Sequence, residues 1–582
     1  MPEHEVRAHV EECLEEACLE AVESHSDAKV MGAFLQHREQ RFRLSYVLGS
    51  CTEASSADES EFAFEDEDLT EVEINESEAV GMEERSRNLL HLQRYLERIK
   101  RVTEEVEKVV ANTLGPLLDQ KTADDRAAWL ELFGNEAFAH KDFPEIALDV
   151  MDDILDRFSS ITAGTIERGT SGWPILWFYD NETRSEFLSH VRWFSSNHHK
   201  QFGRLLTPLV DGIRVQGPLY PTSPELNRAD RLVLLDGQGL GHTATTASSV
   251  STKITQRFDS VDMILLVDNA QQPMQAAPLA LLRAVGSAGF GDKLAIAFTH
   301  FDQVKGANLG SFEQKREHVV ASVGNAIASL RDIVGAGVAG ALDRQIERQS
   351  TFLGGLDRPS AKIPVGYQRE LGHLVQAMQK ASAPAEPVDC VPQYEFKGIE
   401  IAMHDAIDAF RDPWRARLGL SYHDAIAKEH WTRVKALSRR LANGWADEYD
   451  TLMPVADLEA RLREEASKWL DRPAGWSPHP KNDEEREAAL DKIRQAVHKR
   501  ISELTKRRLK EDQVASWRVA YDHSGSGSAM RRARTIDDIH LAAAPNISAA
   551  MSQDAREFLN KLYEILREAI GEAGGNILPV AA

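Results

Sequence analysis

Three pieces of one stretch decide the fold of this chain: RLVLLDGQGLGH at 231–242, VDMILLVDNAQQP at 261–273 and KLAIAFTHFDQVKG at 293–306. Each piece contains a short apolar run, at residues 232–235, 263–267 and 294–298. Runs this short, rich in Leu, Ile and Val and without polar alternation, are typical of strands buried on both faces of a parallel sheet. The sequence therefore predicts an α/β core built on a mostly parallel sheet with flanking helices.

A polar loop follows each of the three runs. The first loop has the form Asp-x-x-Gly, with Asp236 and Gly239, and the third has the form Thr-x-x-Asp, with Thr299 and Asp302 around His300. Ligands of such sheets bind beyond the carboxyl ends of the strands, so these two loops are the candidate site. The middle loop, which begins at Asp268, is expected to be structural.

In this order, about sixty residues apart, the two loops resemble the third and fourth nucleotide motifs of P-loop GTPases. The closest likeness is to the dynamin-like and septin or AIG-type large GTPases, and it covers roughly residues 160–360. The resemblance implies that Asp236 holds the water shell of Mg²⁺ and that Gly239 brings a backbone N–H to the γ-phosphate. It also implies that Asp302 selects guanine and that Thr299 belongs to the same motif.

His300 stands where most GTPases carry Lys. A His at this position is also seen in AIG-type relatives, where a flat side chain packs on the base. The predicted last strand, around residues 351–353, leads into Gly354-Gly355, which the resemblance places on the guanine side.

Residues 161–173 form a predicted loop before the strong strand PILWFYD at 174–180. The loop resembles the first switch of dynamin-like proteins, which implies that Thr170 is a Mg²⁺ ligand and orients the attacking water. Thr170 is thus the candidate catalytic residue, and the alternative is a plain connecting loop. Leu240 follows Gly239 where small GTPases have a Gln that positions water.

The main departure from the family is that G-x-x-x-x-G-K-[ST] occurs nowhere in the 582 residues. GSCTEASS at 49–56 follows a predicted strand at 44–48, but Ala54 replaces the second Gly and Ser55 the Lys. Without that Lys the loop lacks the point charge that phosphates need. Two explanations stay open: a pseudo-GTPase that lost phosphate binding, or a truncation that removed the P-loop before Met1.

Composition sets further bounds. The net charge of −24, from 68 basic and 92 acidic residues, disfavours nucleic acid as a partner. The four cysteines form no CxxC pair, and no signal peptide or membrane span is visible, so we expect a cytoplasmic protein. Length predicts two to four domains.

Three regions are predicted. Residues 1–160 form a helical region, with helices at 4–40 and 83–120 and an acidic insert at 58–78 that has eleven Asp or Glu and no Lys or Arg. Residues 161–385 form the GTPase-like core, with a further strand at 211–219. Residues 386–582 form a C-terminal helical domain, with helices at 426–442 and 483–521, and resemble a dynamin-like stalk or a coiled coil.

The sequence thus predicts a GTP-binding protein of the dynamin-like large GTPase type, with GTP or GDP and Mg²⁺ as ligands and hydrolysis left open. The alternative is an inactive pseudo-GTPase that acts as a helical scaffold or regulator. Self-association or another protein is the expected partner of the helices. The basic stretch 499–510 is expected to be a solvated helix face, with contact to anionic lipid or nucleic acid as the alternative.

Overall fold

The computed structural model describes residues 1–36, 42–50, 79–216, 233–235, 250–306, 308–356, 362–381, 388–445, 448–449, 451–525, 527–547 and 551–578. The chain divides into two compact units. Unit 1 comprises Met1–Val215, Trp431–Ala436 and Asp522–Arg532, and unit 2 comprises Gln216–His430, Leu437–Tyr521 and Ala533–Ala582. These units do not test the three predicted regions, which stay predictions.

Unit 1 is mainly helical, as predicted. Its helices are α1 Glu3–Ser24, α2 Asp27–Leu35, α3 Leu44–Leu48, α4 Met82–Leu114, α5 Ala123–Ala139, α6 Asp142–Arg157 and α7 Arg184–Ser195. The helix predicted at 83–120 is confirmed as α4, which buries Leu92, Ile99 and Val106 in the core of this unit, whereas Leu90 and Val109 are both 51% exposed. The helix ends at Leu114, and the Gly115 that follows leaves the helical path with φ 79°.

Two predictions for the first 50 residues are wrong. The single helix predicted at 4–40 is two helices, because His25 adopts a left-handed conformation with φ 51° between them. The strand predicted at 44–48 is the short helix α3. Its buried residues Leu44, Val47 and Leu48 have the i, i+3, i+4 spacing of one helical face, which a strand would split between two faces.

The predicted strand at 174–180 is confirmed as β2, Pro174–Phe178, but its pairing is not that of a parallel core. It forms an antiparallel hairpin with β1, Thr165–Arg168, so part of the stretch predicted as a loop is a strand. The intervening five residues contain Gly172 at φ 84°, and a turn this short can join only antiparallel neighbours.

Unit 2 contains a three-stranded parallel sheet with the order β3-β4-β5, where β3 is Ile264–Asn269, β4 is Leu294–Thr299 and β5 is Ser350–Phe352. The predicted strands at 263–267, 294–298 and 351–353 are therefore confirmed, and so is their parallel arrangement. Helix α8 Thr252–Thr255 precedes the sheet, and α9 Ala276–Ser287, α10 Phe312–Val334 and α11 Ala336–Arg348 lie in the connections between its strands. Helix α12 Val365–Ala381 follows β5.

The described parts of two other predicted strands are irregular. Val233, Leu234 and Leu235 belong to no strand, and each side chain is more than half exposed. Residues 211–216 also form no strand. Apolar runs predict strands only when the runs are buried, and burial is decided by the rest of the fold.

The rest of the chain is mostly helical, as predicted. Its helices are α13 Ile399–Arg417, α14 Trp431–Ala442, α15 Pro454–Leu470, α16 Asp483–Lys506, α17 Val514–Asp522, α18 Ser528–Ala543 and α19 Gln553–Glu572. A small sheet joins β6 Pro392–Tyr394 to β7 Gly475–Trp476 and β8 Asn576–Ile577. Helices α14 and α18 have residues in each unit.

Two helix predictions in this region need correction. The helix predicted from 426 begins at Trp431. The single helix predicted at 483–521 is α16, a π-helical turn at Arg507–Glu511 and then α17. Within the described ranges, no helix is both long and apolar enough to cross a membrane.

Candidate functional site

The carboxyl ends of the three parallel strands lie at one edge of the sheet of unit 2. Asn269 of β3 pairs in register with Thr299 of β4, and Phe298 of β4 pairs with Phe352 of β5. The turns that follow these strands therefore start side by side, which is where parallel sheets bind ligands. We call the turns after Asn269, Thr299 and Phe352 the sheet edge.

The Asp268 side chain holds the first turn of the sheet edge through hydrogen bonds to the backbone of that turn. One carboxylate oxygen accepts the backbone N–H of Asn269 at 2.9 Å and the other accepts that of Met274 at 2.8 Å. Burial raises the pKa of this carboxyl group, and the two backbone hydrogen bonds oppose that effect. Both oxygens bind the protein's own backbone, which agrees with the structural role expected for this loop.

Thr299 joins the first turn to the second. Its hydroxyl donates a hydrogen bond to the carbonyl of Asp268 at 3.1 Å, and its own carbonyl accepts the N–H of Ala270 at 2.9 Å. Thr299 is therefore used to hold two neighbouring strand ends together. A side chain without a hydroxyl would leave the Asp268 carbonyl without this donor.

His300 is held in an uncommon backbone conformation, with φ 54° and ψ 25° in the left-handed region. A non-glycine residue rarely adopts it, and such residues are frequent at ligand sites. Its carbonyl accepts the N–H of Gln303 at 3.0 Å, and the Gln303 amide lies 3.4 Å from the imidazole Nδ1. The chain therefore changes direction at His300, and Asp302 follows two residues later in the same turn.

Phe301 anchors this turn to the third strand. Its side chain is fully buried and its ring lies 4.9 Å from the rings of both Phe312 and Phe352. Its backbone N–H donates to the carbonyl of Leu353 at 3.0 Å. The position of the turn is therefore determined by an aromatic cluster that no short motif describes.

Asp302 and Gly354 lie in close contact at the sheet edge. A Cβ atom added to Gly354 would be 2.7 Å from the Asp302 Oδ1 atom and 2.9 Å from its backbone nitrogen. Only glycine fits there, so the predicted Gly-Gly loop and the predicted Asp lie together as the resemblance implies. Lys315 of α10 donates to the Asp302 carbonyl at 3.2 Å and fixes the turn from the other side.

Lys315 and the ring of Phe301 are residues that sequence reasoning missed. Neither belongs to a spaced motif, because Lys315 is one of several charged residues in the first turns of α10 and Phe301 occupies the variable position of Thr-x-x-Asp. The only signal was the apolar character of Phe301 inside a loop that otherwise consists of polar residues.

Of the other predicted site residues, the structure describes Thr170, which is not part of the sheet edge. Thr170 is exposed at the turn of the β1–β2 hairpin in unit 1, where the neighbouring Ser171 hydroxyl donates to Glu3 at 2.6 Å. Asp236 and Gly239 lie outside the described residues, and so does the acidic insert at 58–78. The roles predicted for Thr170, Asp236 and Gly239 stay predictions.

Metal binding is not supported by a cluster in the described part of the chain. No group of three or more His, Cys, Asp or Glu side chains there could hold a metal ion. The predicted Mg²⁺ ligands, Asp236 and Thr170, therefore also stay predictions.

The sheet edge can recognise a group that donates hydrogen bonds. It presents the half-buried Asp302, which packs against Gly354, and the half-buried His300 imidazole lies two residues before it. Comparisons with known proteins add nothing to this geometry: no family model, no curated protein and no solved structure matches the chain.

Proposed function

We propose that this chain is a guanine-nucleotide-binding protein of the large GTPase type, which recognises the base at the sheet edge of unit 2. The observation that carries the proposal is the close contact between Asp302 and Gly354 at the carboxyl ends of two neighbouring parallel strands. The proposal covers binding of guanine nucleotide, and hydrolysis is not part of it.

The chemistry of the base explains why guanine is the favoured ligand. Guanine presents two adjacent donors, N1–H and the N2 amine, and a carboxylate can accept both. Adenine has an acceptor at N1 and no amine at C2, so Asp302 would face a lone pair instead of a proton. Gly354 lets the Asp302 side chain pack against the backbone that follows β5, because a side chain at position 354 would clash with Asp302.

The site offers few groups that could bind the phosphates of a nucleotide. The chain has no P-loop Lys, and Asp302 and Asp268 make the sheet edge acidic. Two described cations lie near this edge: the Lys315 ammonium group donates to the Asp302 carbonyl, and the Arg316 guanidinium group lies 6.0 Å from the Phe352 ring. We therefore expect affinity to come from the base more than from the phosphates, so GTP and GDP should bind with similar affinities.

The first experiment is calorimetric titration of the full chain with GTP, GDP and ATP in the presence of Mg²⁺. We expect both guanine nucleotides to bind and ATP not to bind. A chain that binds none of them would favour the alternative function, a helical scaffold or regulator that retains the degenerate core for protein contacts.

The sharper test is Asp302→Asn. Loss of a charged hydrogen-bond acceptor should weaken GTP binding by about tenfold to a hundredfold. Xanthine has a carbonyl where guanine has the N2 amine, so the Asn amide should donate to it and xanthosine triphosphate should bind the variant better than the parent. The measurement is the same titration with both nucleotides.

The matched control is Asp332→Asn, which makes the same chemical change at an exposed position of α10. It should leave GTP binding unchanged. Equal GTP affinity for Asp302→Asn and the parent chain would contradict the proposal that Asp302 reads the base.

A further inference from the structure

The hairpin of β1 and β2 in unit 1 carries large apolar side chains on its surface. Ile175, Leu176 and Phe178 of β2 are 66%, 55% and 64% exposed. Single apolar residues are normal at a protein surface, but three large ones within four positions are typical of an interaction site. We call Ile175, Leu176 and Phe178 the β2 surface.

The β2 surface belongs to a strand that the core of unit 1 holds in place. The Trp177 ring lies 4.5 Å from the ring of Phe194 in α7, and its indole N–H donates to the Ala163 carbonyl at 2.9 Å. Trp173, just before β2, is 6% exposed and its indole N–H donates to the Met1 carbonyl at 3.1 Å. The exposed side chains of β2 therefore occupy fixed positions between buried anchors.

Among the residues that the structure describes, β2 has a neighbouring strand along one edge only. It pairs with β1, and the sheet that they form has two strands. Backbone N–H and C=O groups at a free edge can hydrogen bond to a further strand, and a sheet of two strands gains stability from added strands. The chemistry of this edge therefore fits an extended strand with apolar side chains.

A second copy of β2 is such a strand. In an antiparallel pair of two copies centred on position 176, the facing residues are Leu176 with Leu176, Ile175 with Trp177, and Pro174 with Phe178. Each facing pair is apolar, so the pairing places no like charges opposite each other. Two identical strands paired in this way are related by a twofold axis, which is the commonest symmetry of protein dimers.

The charges beside β2 also match in this register. Asp180 of one copy would face Gly172 of the other, and the Arg168 guanidinium group donates to the Gly172 carbonyl of its own copy at 2.8 Å. Arg168 and Asp180 are both exposed, and neither forms an ion pair with a described residue. The pairing thus brings Arg168 of each copy beside Asp180 of the other.

We propose that two copies of this chain associate through β2. The dimer has a four-stranded antiparallel sheet with the order β1-β2-β2-β1 and two ion pairs between Arg168 and Asp180. Because the contact rests on two strands of five residues, it is a small interface, and we expect weak, reversible association. This inference does not depend on nucleotide binding at unit 2.

Sedimentation of the full chain at about 1–100 µM tests the proposal, and the average mass should rise from one copy toward two. Leu176→Lys would place two ammonium groups opposite each other at the twofold axis, so it should weaken association by at least about tenfold. The matched control is Leu188→Lys on α7, at a side chain that is 42% exposed. The control should associate as the parent chain does, and both variants should melt at the parent temperature.

An exchange of charges tests the register. Asp180→Arg should weaken association by about threefold to fivefold, because two ion pairs become repulsive contacts. Asp180→Arg combined with Arg168→Asp should restore it. A contact within one copy cannot explain this recovery, since Asp180 lies about 20 Å along the hairpin from Pro174, the partner of Arg168 in the sheet.

Three results would overturn the proposal. The first is a parent chain that stays monomeric at the highest concentration, even if it binds vesicles of neutral phosphatidylcholine and Leu176→Lys abolishes that binding, since the β2 surface would then serve a membrane. The second is association that Leu176→Lys leaves unchanged, because another surface would carry it. The third is a double variant that associates no better than Asp180→Arg, which would contradict the antiparallel register.

Discussion

Two regions of unit 2 are both well buried, but one consists of apolar side chains and the other includes many charged side chains. In β4, the residues from Leu294 to Phe298 are all buried and all apolar. Helices α15 and α16 are buried together with charges, including Glu459, Arg463, Arg494 and His498, each at most 5% exposed. An apolar strand pattern therefore accounts for the burial of the first region. An apolar stripe along a helix does not account for the buried charges of the second region.

The charged helices are stable because their buried groups are paired. Arg494 contacts Asp491 at 2.6 Å and Glu487 at 3.3 Å, and it also pairs with Asp471. Burial lowers the pKa of Arg494, but the three carboxylates more than offset this effect, so its pKa lies above the ordinary value. Burial in this unit therefore does not mean that a side chain is apolar. A charged side chain is buried here where oppositely charged groups pair with it.

The same pairing ties the helices to the sheet layer. Arg463 of α15 donates to the Ser287 hydroxyl at the end of α9 at 2.9 Å, and His498 of α16 lies 3.3 Å from the carbonyl of Thr255 in α8. Gln495 donates to the Gly289 carbonyl at 2.6 Å. The connections before and after β3 are therefore held by polar contacts to residues about 200 positions later in the chain.

The largest effect is expected where the charged region is broken. Arg494→Leu would leave Asp471, Glu487 and Asp491 buried without their shared cation and should cost about 3–5 kcal/mol of unfolding free energy. Denaturant unfolding followed by circular dichroism measures it. Arg348→Ala is the control, because its pair with Glu484 is more than half exposed on both sides and should cost less than about 1 kcal/mol. Equal losses for the two variants would mean that the buried network contributes no more than a surface pair.

A buried histidine should behave differently from both regions. His540 is fully buried against Phe410 and Trp414, with ring centroids about 5 Å apart, and neither ring nitrogen has a hydrogen-bond partner among the described residues. Burial, with a contribution from the charge of Arg411, lowers its pKa from 6.5 to about 3. The folded state therefore disfavours the proton, so stability is complete above pH 6.5 and falls as the pH is lowered toward 3.

His540→Phe should remove this part of the pH dependence. At pH 7 the variant should be as stable as the parent or slightly more stable, and at pH 5 it should be more stable by about 2 kcal/mol, since each unit below 6.5 is worth about 1.4 kcal/mol. Denaturant unfolding at pH 7, 6 and 5 checks the slope. A difference between the two chains that does not change with pH would show that His540 keeps an ordinary pKa in the folded protein.

The smallest effect is expected in the apolar region. Ile296→Val in β4 removes one methylene group from a fully buried side chain and should cost about 1 kcal/mol. Val267→Ala in the neighbouring strand β3 is the control, because that side chain is 58% exposed and its loss should stay within about 0.5 kcal/mol. Thermal unfolding of both variants measures the difference, and a larger loss at Val267 would mean that something covers the edge of β3.

The sheet and much of its edge could be predicted from sequence because their signals are local. Unbroken apolar runs predicted β3 and β4, and the polar residues that follow β4 predicted the positions of Thr299, His300 and Asp302. The strand at 351–353 was predicted as the last strand of the core that the resemblance implies. The contact between Asp302 and Gly354 was only implied by a resemblance, since the two residues are 52 positions apart. The anchoring by Phe301 and Lys315 could not be predicted, because it depends on which helix packs against the turn.

Predictions from local sequence patterns were wrong where one pattern is compatible with more than one local structure. Residues 44–48 and 233–235 are both short apolar runs like β4, yet the first is a helical turn and the second is irregular and exposed. The hairpin of β1 and β2 was not predicted, because the sequence of one strand does not show with which other strand it pairs.

The amino-acid sequence by itself determined the helical content, the three parallel strands and the residues of the candidate base-binding turn. Hydrophobic periodicity and turn chemistry act within a few residues, so they can be read along the chain. The tertiary structure alone decided the antiparallel hairpin, the buried network around Arg494 and the burial of His540. Each of these depends on which distant groups share a low-dielectric interior or a common surface, and neither charge pairing nor desolvation leaves a local pattern in the sequence.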